Sequence, residues 1–166
     1  MVDFSMHPPA TLIGDRVASP PADAAQPGIL STLVSEDVFA GYAVMRSAGS
    51  LPFFEPFVQL PEDGITPLGI MPRKETQHGP SAALLGITDG TAEHGVGLEI
   101  FTRGLVRVNI ADDVAEGDDV FFYISGVNQG RFTNVDDVTT NQWPGSPTFY
   151  STATVASGDG AIVEIG

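Results

Sequence analysis

Five carboxylates fall within eight residues, at Asp112, Asp113, Glu116, Asp118 and Asp119, a density that could wrap a hard cation such as calcium through side-chain oxygens. The spacing is not that of an EF-hand loop, and the competing reading is a solvated acidic turn between two strands. Asp136 and Asp137 form a second, weaker pair. His7, His78 and His94 show neither HxH nor HxxxH spacing, so a zinc site would need ligands converging from distant loops. With no cysteine there is neither a disulfide framework nor thiolate ligation. No GxSxG elbow is present, and Thr88-Asp89-Gly90 is not the order of an aspartic protease loop. Acidic residues are abundant enough to supply a glycosidase pair, but such a pair is defined by its separation and not by abundance. The expectation is a protein that is not an enzyme and holds no metal or cofactor.

The charge balance points the same way. Asp and Glu outnumber Lys and Arg by 21 to 7, for a net charge of −14. Such a chain repels phosphate backbones and anionic headgroups, so direct nucleic-acid or membrane binding is not expected. Lys74 is the only lysine, which removes the P-loop lysine, and the arginines at 16, 46, 73, 103, 107 and 131 are scattered. The first residues, MVDFSMHPPATLIGD, lack a signal-peptide core, and no apolar run approaches membrane-spanning length. The reading is a soluble protein outside the classical secretory route.

Elements must position whatever surface does the work. At 166 residues, 42% of them hydrophobic, the chain suits one domain with appendages, and its 13 prolines and 19 glycines belong in turns and arms. Residues 1–35 hold Pro8, Pro9, Pro20, Pro21 and Pro27 and few aliphatic anchors, so they read as an extended N-terminal arm. The arm is either a tail or a segment that orders on a partner, and Leu12 and Ile13 are its candidate partner contacts. Residues 36–166 form the domain, with a strand near 42–46. A Pro- and Phe-rich insertion at 51–67 follows, leaving short extended pieces around 57–60 and 68–70. Phe53, Phe54 and Phe57 in that insertion either pack on their own core or form an exposed patch that docks on another protein. Residues 73–79 read as a surface loop before an extended piece at 82–88.

The second half is clearer. Over 105–110, Val106, Val108 and Ile110 share one face while Arg107 and Asn109 take the other, the period-two pattern of a half-buried strand. Leu98 and Ile100 alternate before it, and Arg103-Gly104 suggests a tight hairpin between the two. Over 120–124 both faces are apolar, which predicts a central strand or a subunit contact. Strands at 148–155 and 161–165 around the turn 157–160 read as a closing hairpin. Trp143, in NQWPGSP, reads as a loop residue covering the end of the domain or lying at a contact. VxxGxxV occurs at 38–44 and 114–120, a turn followed by a strand in each case rather than a true duplication. With no capped 3.6-residue periodicity anywhere, the fold class is all-β, with at most one short helical turn.

Pro67-Leu68-Gly69-Ile70, the strand 96–101, Arg103-Gly104-Leu105-Val106, Val114-Ala115-Glu116-Gly117-Asp118-Asp119-Val120 and Gly130-Arg131-Phe132-Thr133 together resemble the structural cement, or head decoration, proteins of tailed bacteriophages. The resemblance covers about residues 38–165 and departs from the pattern at the 51–67 insertion and at Glu116. It implies a small β-barrel or sandwich, β-tulip-like, that is usually trimeric and non-enzymatic. It further implies a place on the exterior of the phage capsid, binding the major capsid protein where its subunits meet and stabilising the head. The alternative from another class is a carbohydrate- or ligand-binding β-sandwich, possibly dependent on calcium at 112–119.

Overall fold

A computed structural model describes residues 13–17, 25–30, 38–47, 57–73 and 97–166. Within them lie ten strands: β1 (Ala25–Leu30), β2 (Ala43–Arg46), β3 (Phe57–Gln59), β4 (Gly69–Ile70), β5 (Gly97–Phe101), β6 (Gly104–Val108), β7 (Phe121–Tyr123), β8 (Phe132–Thr133), β9 (Thr140–Gln142) and β10 (Ala161–Ile165). No α-helix occurs among the described residues, and one 3-10 turn spans Val155–Ser157. The all-β expectation and its single short helical turn both hold. The expected loop at 73–79 beyond Arg73 and the extended piece at 82–88 lie outside the described residues.

The strands pair in three groups. The first runs β1, β3, β2, β4, β5, and β5 pairs back to β1. The return is thin at β4, which meets β5 through the single pair Ile70↔Phe101. All these pairings are antiparallel except β1 with β3. Pro27, which cannot donate to a ladder, sits in the part of β1 that has only β5 beside it; β3 joins at Ile29 and Leu30. The second group pairs β10 with β6, Val163 opposite Val106, and the third places β7 between β8 and β9.

Alternation explains how the first group positions two cores. Ala43, Ile70 and Phe101 point into a main cluster with Val106, Val108, Ile110, Phe122, Phe132 and Val163. Their chain neighbours Val44, Met71 and Ile100 point the opposite way, into a smaller cluster with Val38, Val58 and Leu60. A strand buried on both faces has no polar side, which is why residues 38–45 are almost continuously apolar. The predicted face of β6 is borne out: Val106, Val108 and Ile110 are buried while Arg107 and Asn109 are half-buried. So is the central position of β7, whose Phe121 and Phe122 are both buried.

Two predicted hairpins are corrected. β5 and β6 follow one another through Arg103 but do not pair, because β5 is flanked by β1 and β4 while β6 is taken by β10. The turn is thus a corner between sheets. Residues 148–155 do not form a strand beside β10; they make isolated bridges instead, Asp119↔Thr148, Phe149↔Val163 and Val114↔Ala153, and so tie three different places. Trp143, in the loop that follows β9, is 6% exposed, packed edge-on to Phe122 at 5.6 Å and tilted against Phe132 at 5.4 Å. Both VxxGxxV segments turn and then enter strands, β2 and β7.

Candidate functional site

A five-residue strap, residues 13–17, ties the N-terminal region to β6. Gly14 N donates to Arg107 O at 2.7 Å, Arg107 N to Asp15 O at 3.0 Å, and Val17 N to Leu105 O at 2.9 Å. With Arg16 opposite Val106, this is an antiparallel strand added to the edge of β6 that β10 leaves open. Arg73 N donates to Gly14 O at 3.0 Å from the other side. The Arg16 guanidinium lies 4.1 Å from the centre of the Phe101 ring, a cation–π contact, and partial burial there pulls its pKa down, with Glu99 opposing the shift.

Ile13 seats the end of the strap. A Cβ at Gly41 would meet Ile13 Cγ2 and the backbone of Asn109, and one at Gly160 would meet Ile13 Cγ1 and the backbone of Val108. The two glycines make a notch that only a missing side chain provides, and both sit at positive φ, 77° and 68°. Ile13 is consequently half-buried in its own chain. Of the other predicted contacts, Leu12, Phe53 and Phe54 lie outside the described residues. Phe57 opens β3, with its backbone opposite Ile29, and its side chain lies outside the description. The rest of the strap, Gly14 to Val17, was not singled out by the sequence; the only local signal is the alternation of Ile13, Asp15 and Val17 with Gly14 and Arg16.

The acidic turn serves as a set of internal acceptors. Asp112 Oδ2 accepts from Tyr123 Oη at 2.9 Å and Thr133 Oγ1 at 2.8 Å. Asp118 Oδ2 accepts from Ala115 N at 2.9 Å and Asn134 Nδ2 at 2.6 Å, and Asp113 Oδ1 from Val155 N at 2.8 Å. In the neighbouring loop Asp137 Oδ1 accepts from Thr139 N and its hydroxyl, at 2.7 and 2.6 Å. Among the described residues no three His, Asp or Glu side chains are grouped to hold a metal ion. These carboxylates fasten the 112–119 and 134–139 loops to β7, β8 and the 3-10 turn.

Those bonds carry a pH signature. The Ala115 amide, then Asn134, holds the Asp118 carboxyl below its ordinary value of 3.8, and the Thr139 hydroxyl and amide do the same for Asp137. A carboxyl depressed by folding contributes stability that is complete above about pH 4 and is lost as pH falls through the folded-state value. Urea midpoints measured between pH 5 and pH 2 should fall, and Asp118→Asn combined with Asp137→Asn should flatten that fall. An unchanged slope in the double variant would remove these two groups from the acid response. Burial, reinforced by Asp112, raises the Tyr123 phenol.

Arg131 is the corresponding cationic fastener. Its Nε donates to Asn109 Oδ1 at 2.9 Å, one terminal nitrogen to Asn128 Oδ1 at 3.0 Å and the other to Ile110 O at 2.5 Å. A lysine cannot reproduce this fork. Arg131→Lys should cost about 1.5–3 kcal/mol in a urea titration, the range for hydrogen bonds to charged groups; a loss within error would show that the fork is dispensable.

Comparison with known proteins now bears on this arrangement. The phage cement family model, described as structural cement protein (E217 gp24/Pam3 gp6), matches residues 3–166. A chain from the capsid of Myoviridae Phage XM1 shares the fold at a TM-score of 0.66, with 15% identity, over 95% of this chain and 91% of that one. No curated protein matches the sequence. The family match over nearly the whole chain makes this a phage structural protein, and the chain belongs to the structural cement protein family. It is a capsid cement, or decoration, protein of a bacteriophage, and its place is the exterior of the virion.

Proposed function

We propose that the chain binds the major capsid protein on the outside of the head, at junctions between capsid subunits, as a homotrimer that stabilises the shell without catalysing a reaction. The observation that carries this reading is the family match across nearly the whole chain. Around a threefold axis identical contacts repeat, so individually weak ones gain through effective concentration. We further read the fold as a small sandwich whose first five strands curl into a β-tulip-like end; the return of β5 to β1 supports this. Asp112, Asp113 and Asp118 each hold protein donors, which favours a clamp-like scaffold over a calcium-dependent binding module.

Contact with the capsid is assigned to Leu12 of the arm (1–35) and to Phe53, Phe54 and Phe57 of the insertion (51–67), with Ile13, seated against Gly41 and Gly160 in its own chain, anchoring the arm from which Leu12 reaches the shell. Buried aromatic anchors dominate protein interfaces, each contributing about 2 kcal/mol or more. Phe53→Ser combined with Phe54→Ser should weaken binding to expanded heads that lack the protein by at least about tenfold, read by co-sedimentation. Cryo-electron microscopy of decorated heads should place density over the subunit junctions. Undiminished binding by the double variant would eliminate the insertion as the contact, and density away from the junctions would overturn the placement.

A further inference from the structure

Four of the six large apolar side chains that stand exposed among the described residues belong to three loops: Ile65 on 61–67, Val127 on 125–130, and Val135 and Val138 on 134–139. These loops meet at one end of the sheet of β7, β8 and β9. Ile124 N donates to Thr139 O at 2.9 Å, which sets the root of the second loop beside the third, and Gln129 Nε2 donates to Pro61 O at 2.9 Å, which fastens the first to the second. Gly64 to Pro67 then share a groove with Asn141 and Gln142 of β9. Single valines scattered over a surface need no explanation, but a set gathered on adjoining loops does. Val127 and Val138 are the extreme members, 100% and 95% exposed. Neither is on a slack loop. Val127 lies in a turn closed by Gln129 N on Gly126 O at 3.1 Å, with Arg131 bonded to Asn128 beyond it. Val138 sits between Asp137 and Thr139, whose amide and hydroxyl both bond the Asp137 carboxylate, and Thr140 Oγ1 donates to Val135 O at 2.9 Å. Turns ordinarily take Gly, Pro, Asn, Asp or Ser, so a valine at such a place gains nothing from its own fold. A braced backbone that holds it in water has already lost its freedom, and binding does not have to order it.

Charge names the partner. Glu62, Asp63, Asp136 and Asp137 are exposed on the same loops, and none of the three loops carries a lysine, arginine or histidine. The side chains that donate to these carboxylates are neutral, Gln59 to Glu62 and Thr139 to Asp137, so the negative charge stands. Arg131, the cation next along the chain, is turned inward onto Asn109, Asn128 and Ile110. A second copy of a chain at −14 would bring like charge against like here. We propose that this three-loop end docks on a basic protein face that offers shallow apolar recesses to Val127 and Val138, and that the face is on the outer surface of the major capsid protein. The surface is read from its own chemistry; naming the capsid as its owner rests on the cement reading. It adds a second contact to those assigned to the arm and the insertion. Apolar side chains at the centre of such an interface supply affinity, while the charged rim steers the approach and fixes the register.

The test uses the full-length chain and expanded heads that lack it, with binding read by co-sedimentation. Val127→Ser combined with Val138→Ser removes the anchors without adding charge, and because both side chains are in water the fold is untouched, which an unchanged thermal melt verifies. Binding should weaken by at least about tenfold. Val155→Ser, at an exposed valine on the 3-10 turn away from these loops, should bind as the parent does. Asp63→Ser combined with Asp136→Ser, two carboxylates with no part in bracing the loops, tests the charge. Parent binding should fall as salt rises from about 0.05 to about 0.5 M, and the neutralised variant should show a clearly shallower fall. Parental affinity in the double valine variant overturns the docking surface and leaves the cement reading in place. An unchanged salt response in the neutralised variant overturns the basic partner. A loss as large in Val155→Ser as in the double variant overturns the choice of surface. A parent chain that does not bind heads at all overturns the cement reading, and the capsid as partner falls with it.

Discussion

Replacing Trp143 by alanine should cost about 3–5 kcal/mol of folding stability, the range for deleting a large aromatic from a packed core. Trp143 follows β9 and lies between Phe122 of β7 and Phe132 of β8, with its amide donating to Val120 O at 2.9 Å. The side chain therefore closes the third sheet against the main cluster. Aromatic pairs of this kind add about 0.5–1.5 kcal/mol beyond their burial. A domain of this size has a total stability of about 5–15 kcal/mol, so the loss is a large fraction of the whole. Circular dichroism during a urea titration reads the loss, since the change removes the only tryptophan. Trp143→Phe keeps a ring in place and should lose clearly less. A Trp143→Ala chain within about 1 kcal/mol of the parent would show that the ring adds little to the core.

Gly160→Ala should be the second large loss, about 2–5 kcal/mol. A left-handed backbone costs a non-glycine residue about 1–2 kcal/mol, and forcing an atom into a filled space about 1–3 kcal/mol more. At Gly160 both apply, since its Cβ would press on the Val108 carbonyl and on Ile13. Gly158 supplies the control: it has nearly the same φ, 69°, but open space where its Cβ would go. Gly158→Ala should therefore show the conformational part alone. In Gly160→Ala, but not in Gly158→Ala, the Gly14 and Val17 amides should exchange hydrogen faster, because the displaced Ile13 no longer anchors the strap. Equal losses at both positions would mean the notch contributes nothing.

Much of the fold was legible where burial is periodic along the chain. Val106, Val108 and Ile110 alternate with polar neighbours because one side of β6 faces the main core, and that pattern survives in the letters alone. The β7 reading worked for the complementary reason, since a strand with apolar residues on both faces has to be central. What failed involved partners remote in sequence. Arg103-Gly104 has hairpin composition, but whether the flanking strands pair is decided by β1, β4 and β10 competing for their edges. Trp143 sits among Pro144, Gly145 and Pro147, whose turn chemistry hides that the ring points inward. The roles of Asp112 and Asp118 depend on Tyr123, Thr133 and Asn134, so a compositional cluster could not reveal them as fasteners. The strap's own pairing was not legible because five residues with two aliphatic side chains, Ile13 and Val17, carry no strand signal until β6 supplies the ladder.

The direction of the strap's bonds has a mechanical consequence. Those at Gly14, Arg107 and Val17 run across the strand axis, side by side along β6. A force pulling the strap along that axis loads all three in shear, and they must yield together, whereas a force lifting it away from the sheet unzips them one after another.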